Sequence, residues 1–234
     1  MWLNSYNYPM MKAAIIAAAG SGSRLGAEKP KALVELLGES LISRSFKAII
    51  ASEVADIVII VIPEGYKDEF KKVMPNDAGY SLVFGGKTRA ESVARGVRAV
   101  PDECGIIGIH DAARPLVMPK DISAVFRAAE EYGAAALAMP LRDTIKVVEN
   151  GWIVNTRPRE GLYLVQTPQV FRRDLLLRGL KAAQSDARPT DDCAVVEALG
   201  ERIKVVKGSP DNIKITYPED LKLAETLISD RRGI

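Results

Sequence analysis

Residues 56–62 read Asp-Ile-Val-Ile-Ile-Val-Ile, six β-branched apolar side chains in unbroken succession. A run this short and rich in β-branched residues fits a strand, and its lack of alternation fits one covered on both faces, as in a parallel sheet. Working outward, short β-branched or alanine-rich runs recur at 14–18, 81–84, 106–109 and 134–139. Between most of them lie stretches with apolar residues at helical spacing, 41–51, 66–74, 89–100 and 120–132. Strands alternating with helices build βαβ units, so the pattern predicts an α/β fold with a doubly wound, mostly parallel sheet.

The rhythm changes after Met139-Pro140. Residues 144–149 and 152–156 alternate around Asn150-Gly151, the strongest short signal for a type I′ hairpin. Residues 141–162 are therefore expected to form a protruding β-hairpin arm. Its Trp152, Ile153 and Val154 would be better hidden against a second subunit, which makes the arm a dimerisation element. Helices over 172–185 and 191–199, a strand over 203–206 and a closing helix over 218–228 complete the reading. Residues 1–11 have no clear periodicity and are expected to be a flexible leader or a misassigned start, with one domain spanning 12–234.

Composition narrows the chemistry. The 234 residues carry 32 Lys+Arg against 30 Asp+Glu, a formal charge of +2, too weak a field to make nucleic acid or a membrane surface the main partner. Any anion site must be local. With one histidine, His110, and two distant cysteines, Cys104 and Cys193, a Cys/His zinc cluster cannot be assembled within the chain, and a disulfide framework is not expected. That cysteine usage suits a reducing cytoplasm. The apolar run 13–19 opens into glycines and cations instead of a cleavage region, so it reads as a strand leading into a loop.

Three glycine-rich or strand-end motifs carry the functional signal. AAAGSGSRLG (17–26) follows the first strand, where open α/β sheets bind ligands. Leu25 stands where a dinucleotide fingerprint needs glycine, which weakens an oxidoreductase. Small residues that let backbone N–H groups approach phosphates, followed by Arg24, Lys29 and Lys31, instead read as a triphosphate cradle. GGKT (85–88) resembles the end of a Walker A loop, but Ser81 occupies the required glycine position, so a P-loop ATPase is set aside. The helix start that follows it could present donors to a base. In HDAAR (110–114), Asp111 and Arg114 leave a buried strand together and are placed to hold a polyol or a metal-bound phosphate, with a plain salt bridge as the competing reading. A satisfied buried histidine is a better reading of His110 than a catalytic base.

Taken in order, AAAGSGSRLG-AEKPK, GGKTRAESV, HDAARP, RDTIK, QTPQVF and DNIKIT (211–216) strongly resemble the 2-C-methyl-D-erythritol 4-phosphate cytidylyltransferases, from about Lys12 to the C-terminus. The resemblance implies a Rossmann-like nucleotidyltransferase fold and an enzyme that uses CTP and magnesium. Such an enzyme makes a cytidine diphosphate derivative of methylerythritol and releases pyrophosphate in non-mevalonate isoprenoid synthesis. By the same resemblance Arg24, Lys31 and Lys214 are the catalytic cations. Ala18, Ala19, Gly20, Gly22, Ser23, Gly86 and Ser92 hold phosphates or read cytosine, and the metal rides mainly on the CTP phosphates. Asp111 and Arg114 fall on the acceptor side, Thr144 and Arg159 reach the acceptor phosphate from the neighbouring subunit, and Thr167 and Thr190 line the acceptor pocket. Ala17, Lys87 and Tyr163 depart from the family's usual proline, acidic residue and tryptophan without removing a cation or an acceptor contact.

Three other functions stay open at this point. A ribitol 5-phosphate cytidylyltransferase would share fold, loop and reaction, and HDAARP favours methylerythritol phosphate over it. A sugar-1-phosphate nucleotidyltransferase fits poorly with the short step from Arg24 to Lys31. A regulatory protein that kept the cradle and lost the chemistry would have little reason to retain Arg24, Lys31, Asp111, Arg159 and Lys214.

Overall fold

The computed structural model describes residues 10–27, 29–75, 79–183 and 190–232. Of the expected leader, residues 1–9 lie outside this set, and the first strand β1, Met11–Ala17, opens one residue before Lys12. A small hairpin, β2 (Glu35–Leu36) and β3 (Glu39–Ser40), leads into α1 (Leu41–Ala51), whose N-cap Ser40 accepts from the Ser43 N–H. There follow β4 (Ile57–Ile62), α2 (Lys67–Val73), β5 (Tyr80–Phe84), α3 (Arg89–Arg98), β6 (Cys104–Asp111), α4 (Pro119–Tyr132) and β7 (Ala134–Pro140). The arm strands are β8 (Ile145–Glu149) and β9 (Trp152–Arg157). Then come β10 (Tyr163–Arg172), α5 (Arg173–Ala182), α6 (Asp192–Glu197), β11 (Lys204–Lys207) and α7 (Pro218–Arg232).

Seven strands form one sheet in the order β11-β7-β10-β6-β1-β4-β5, parallel except for β10, which runs antiparallel to both β6 and β7. The IVIIVI run shows why continuity mattered. Ile59 and Val61 join Ile15, Ile107, Ile109, Val93 of α3, Leu176 of α5 and Val195 of α6 on one face. Val58, Ile60 and Ile62 pack with Ile16, Phe46 of α1, Phe70 of α2 and Phe126 of α4 on the other. Successive side chains point to opposite faces, and both faces are covered. Helix α3 lies so close that a Cβ on Gly96 would stand 2.8 Å from Val61 and 2.9 Å from Ile15.

β10 was not among the expected strands. Pro168 and the polar Gln166, Thr167 and Gln169 argue against a central strand. The chain accommodates them by a break in the pairing with β7 between Val165 and Gln169, where the Thr167–Pro168 bond is cis. The expected hairpin at 150–151 is present, with positive φ at both Asn150 (50°) and Gly151 (83°), as a type I′ turn requires. The predicted helix over 172–185 ends at Ala182, and residues 184–189 lie outside the described set.

β1 is flanked by β4 on one side and β6 on the other, so the strand order reverses between β1 and β6. Ala17 pairs with Asp111 at the C-terminal ends of these two strands. A ligand site is expected in this crevice.

Candidate active site

A cleft of about 390 Å³ opens at that crevice, lined by the 17–22 loop, Arg24, Lys31, residues 86–89, Ser92, Asp111, Lys214 and Thr216 among others. Arg24, Lys31, Lys87, Arg89 and Lys214 bring five cations to it, and Asp111 is the one carboxylate among the described lining residues. Such an imbalance in a concave site favours a polyanion.

Each wall has a local cause. The first loop turns at Gly22, whose φ of +76° favours glycine, and a Cβ there would lie 3.0–3.2 Å from the Lys31 backbone and Cβ. The loop is therefore folded directly against Lys31, and the Lys31 N–H reaches back toward the Gly20 carbonyl at 3.4 Å. Arg24 and Ser23 stand in a short 3-10 turn, Ser23–Leu25; the Ser23 side chain is outside the described set. Beneath it a third apolar cluster joins Leu25, Leu36 of the β2–β3 hairpin, Ile215 and Ala224 and Ile228 of α7, so one small core fixes the segments that carry Arg24 and Lys214.

The second wall is the turn from β5 into α3. Thr88 caps the helix by accepting from Glu91 N–H, while the Glu91 carboxylate accepts from Lys87 N–H at 2.8 Å, a variant of the capping box. Ser92 accepts from Gly86 N–H at 3.0 Å and donates to the Thr88 carbonyl at 2.8 Å. The donors expected of Gly86 and Ser92 are thus committed to shaping the turn, and side chains at Gly85 or Gly86 would strike Ala19 or Glu91.

The third wall is the end of β6. The Asp111 carboxylate accepts from Lys214 Nζ at 2.7 Å through Oδ2 and from Arg89 Nε and Nη2 at 3.3 and 3.2 Å through Oδ1. Burial alone would raise this carboxyl, but the charges of Arg89 and Lys214 outweigh it and hold the group well below the usual carboxylate range. At Lys31 burial, with Lys214 and Arg24 adding repulsion, pushes the ammonium down to about 8. His110 is buried and held down to about 4 by desolvation, hence neutral near pH 7. Its Nε2 faces the Arg114 carbonyl, which can only accept, so Nε2 carries the proton and Nδ1 accepts from Thr167 Oγ1 at 3.0 Å. The histidine is a satisfied structural group, with no proton to exchange in the cleft.

Several predicted site residues sit elsewhere. The Thr167 hydroxyl donates to His110 and accepts from the Asp111 N–H at 3.0 Å, which uses both its functions inside the fold. The structure thus corrects its place from pocket lining to support of Asp111. Arg114 is likewise turned away, donating to the carbonyls of Asn212 at 2.7 Å and Val165 at 3.4 Å. Thr144 and Arg159 lie on the arm, where Arg159 Nη1 donates to the Arg142 carbonyl, and neither lines the cleft of its own chain. Thr190 borders a neighbouring hollow between α3 and α6, with Arg89 and Asp192 in the wall. Ala18, Ala19, Gly20, Gly22, Arg24, Lys31, Gly86, Ser92, Asp111 and Lys214 do meet at one cleft. Arg89 and Thr216 also line the cleft; both lie inside motifs quoted above, GGKTRAESV and DNIKIT, but neither was assigned a place in the site.

The chain matches the family described as 2-C-methyl-D-erythritol 4-phosphate cytidylyltransferase over residues 12–230. A protein of that name from Pelotomaculum thermopropionicum is 42% identical over 94% of this chain and 95% of its own length. Another from Carboxydothermus hydrogenoformans is 41% identical, covering 92% and 94%. The crystal structure of 2-C-methyl-D-erythritol 4-phosphate cytidylyltransferase from Thermus thermophilus, 32% identical, superposes with a TM-score of 0.79 over 93% of this chain and 98% of that one. The 4-diphosphocytidyl-2C-methyl-D-erythritol synthase of Anaerococcus prevotii, 28% identical, gives a TM-score of 0.84 over 94% and 96%. A polyanion cleft at the sheet's switch point, set in a chain this similar along its length to these proteins, places the chain in the 2-C-methyl-D-erythritol 4-phosphate cytidylyltransferase family.

Proposed function

We propose that the chain transfers CMP from CTP to 2-C-methyl-D-erythritol 4-phosphate, releasing pyrophosphate and forming 4-diphosphocytidyl-2-C-methyl-D-erythritol for isoprenoid synthesis. The observation that carries this reading is the convergence of Arg24, Lys31 and Lys214 on one cleft beside Asp111. An oxygen of the acceptor phosphate attacks the α-phosphorus while the bond to the bridging oxygen of pyrophosphate breaks. The acceptor is already largely ionised near neutral pH, so no general base is needed, in keeping with a His110 sealed in the fold. The protein's work is in-line positioning and stabilisation of the charge that builds on the α-phosphoryl and leaving oxygens.

Magnesium fits this site as a partner of the triphosphate. Asp111 has both carboxylate oxygens on cations, and among the described residues no group of three or more His, Cys, Asp or Glu is gathered. When bound on the nucleotide, the ion adds charge neutralisation. The working form is a homodimer in the cytoplasm. Trp152, Ile153 and Val154 are 77%, 66% and 52% exposed on the arm, a patch better covered by a second copy, whose cleft would receive Thr144 and Arg159. Both cysteines are free and buried, and among the described residues no helix is long and apolar enough to cross a membrane.

The test is pyrophosphate release with CTP and magnesium, comparing methylerythritol 4-phosphate with ribitol 5-phosphate, and CTP with ATP, GTP and UTP. Strong preference for CTP with methylerythritol phosphate is expected. Preference for ribitol phosphate overturns the acceptor, and CTP binding without turnover overturns the enzyme.

A further inference from the structure

Arg89 opens α3 at the edge of the cleft, yet its guanidinium is almost wholly committed to the protein. Nε and Nη2 donate to Asp111 Oδ1, while Nη1 and Nη2 donate to Asp192 Oδ1 and Oδ2 at 2.9 and 2.7 Å. Four of about five guanidinium N–H groups are thereby spent on two carboxylates. Both carboxylates are largely buried, Asp111 at 7% and Asp192 at 4% exposure, so the loss of a charged partner is costly to either. Asp192 is itself fixed, because its N–H and that of Cys193 donate to Gln169 Oε1 at 3.0 and 2.9 Å. A chain of contacts therefore runs from β10 through α6 and Arg89 to Asp111 and on to Lys214.

We infer that Arg89 is a positioning residue: anchored by Asp192, it holds the Asp111 carboxylate in the orientation that meets the acceptor and keeps Lys214 in place. The inference rests on the reading of Asp111 as an acceptor contact given above. A lysine could not take over the role, since one ammonium lacks the planar fork that grips Asp192 through two nitrogens while reaching Asp111. Burial and the charge of Arg89 pull Asp192 in opposite directions, with burial prevailing, whereas Asp111 has Lys214 as a second cation and stays well below the usual carboxylate range. The arginine thus links a carboxylate that anchors to one that faces the substrate cleft.

The test uses the full chain and two variants, Arg89→Lys, which keeps a positive charge beside the two buried carboxylates and so protects the fold, and Asp192→Asn, which keeps Arg89 and loosens its anchor. CTP affinity is measured by titration calorimetry without acceptor, and kcat and KM for methylerythritol 4-phosphate by pyrophosphate release. In Arg89→Lys the acceptor KM should rise about tenfold or more and kcat should fall, while the CTP Kd moves by less than about threefold. Asp192→Asn should show the same split with smaller amplitude. Combining Arg89→Lys with Asp111→Asn should cost little beyond Asp111→Asn alone, because both act through one carboxylate. Equal weakening of CTP and acceptor, or losses that multiply in the double variant, overturns the inference while leaving the function intact. No turnover by the unaltered chain overturns the functional reading and this inference with it.

Discussion

Lys31 begins a 3-10 turn, Lys31–Leu33, whose other two residues are buried, and its ammonium titrates at about 8 because of burial and the nearby charges of Lys214 and Arg24. The folded value lies below the ordinary 10.5, so the protonated form is disfavoured by the fold. Its cost to stability is fully present below pH 8 and is relieved as pH rises from there toward 10.5. Activity runs the other way, since a neutral Lys31 cannot stabilise a phosphoryl transition state. We expect kcat/KM for CTP to fall as pH rises through about 8, and Lys31→Arg to remove that alkaline limb. Lys31→Met should lower kcat by about 100-fold or more, weaken CTP binding much less, and raise the melting temperature of the free protein at pH 7. Neutralising Lys214 should likewise cost turnover more than CTP affinity; equal losses of turnover and affinity would remove the transition-state role. The placement of Lys31, Arg24 and Asp111 at the cleft was legible because cations after a glycine turn and an acid at a strand end each have a local signature, though the same signature also pointed to Lys29, which faces Glu35 and does not line the cleft. The Arg89–Asp192 pair left none, since its partners are 103 positions apart and meet only through the sheet.

Among the elements, β10 ties the molecule together, and the sequence concealed it for the reason that makes it useful. A buried strand is recognised by apolar continuity, which showed β4 at once, but the middle of β10 is Gln166-Thr167-Pro168-Gln169. Each of its polar side chains fastens a different piece of the cleft. Gln166 donates to the Ser209 carbonyl at 2.8 Å and accepts from Asn212 Nδ2 at 3.2 Å, steadying the segment that carries Lys214. Thr167 holds His110 and Asp111, and Gln169 holds the start of α6. Thr167→Val keeps the shape and deletes the hydroxyl, leaving the Asp111 N–H and His110 Nδ1 buried without a partner. The expected loss is about 1–3 kcal/mol of unfolding free energy by urea denaturation, with Thr167→Ser close to the parent. A valine variant as stable as the parent would show that the hydroxyl is not structural and return Thr167 to the acceptor pocket.

For the whole molecule the open question is where the arm acts. Arm and cleft are joined by β10, whose first residues Tyr163, Leu164 and Val165 are exposed like the hairpin above them, so the apolar surface continues from the arm tip down to the sheet. In one chain that surface faces solvent, and among the described residues the Arg159 guanidinium donates to the arm's own Arg142 carbonyl. A second copy packed there would cover the patch and bring an arginine and a threonine to the neighbouring cleft, where the proposed reaction places the acceptor phosphate. The arrangement predicts complementation between defective subunits. Lys31→Met has a dead cleft and an intact arm; Arg159→Ala has an intact cleft and a dead arm. If each arm serves its neighbour, a mixed dimer contains one fully intact site, made of the Arg159→Ala cleft and the Lys31→Met arm. Equal mixing and subunit exchange make half the dimers mixed, so activity should recover to about one quarter of the parent's from two nearly inactive proteins. If each arm served its own cleft, every mixed dimer would carry two broken sites and mixing would restore nothing.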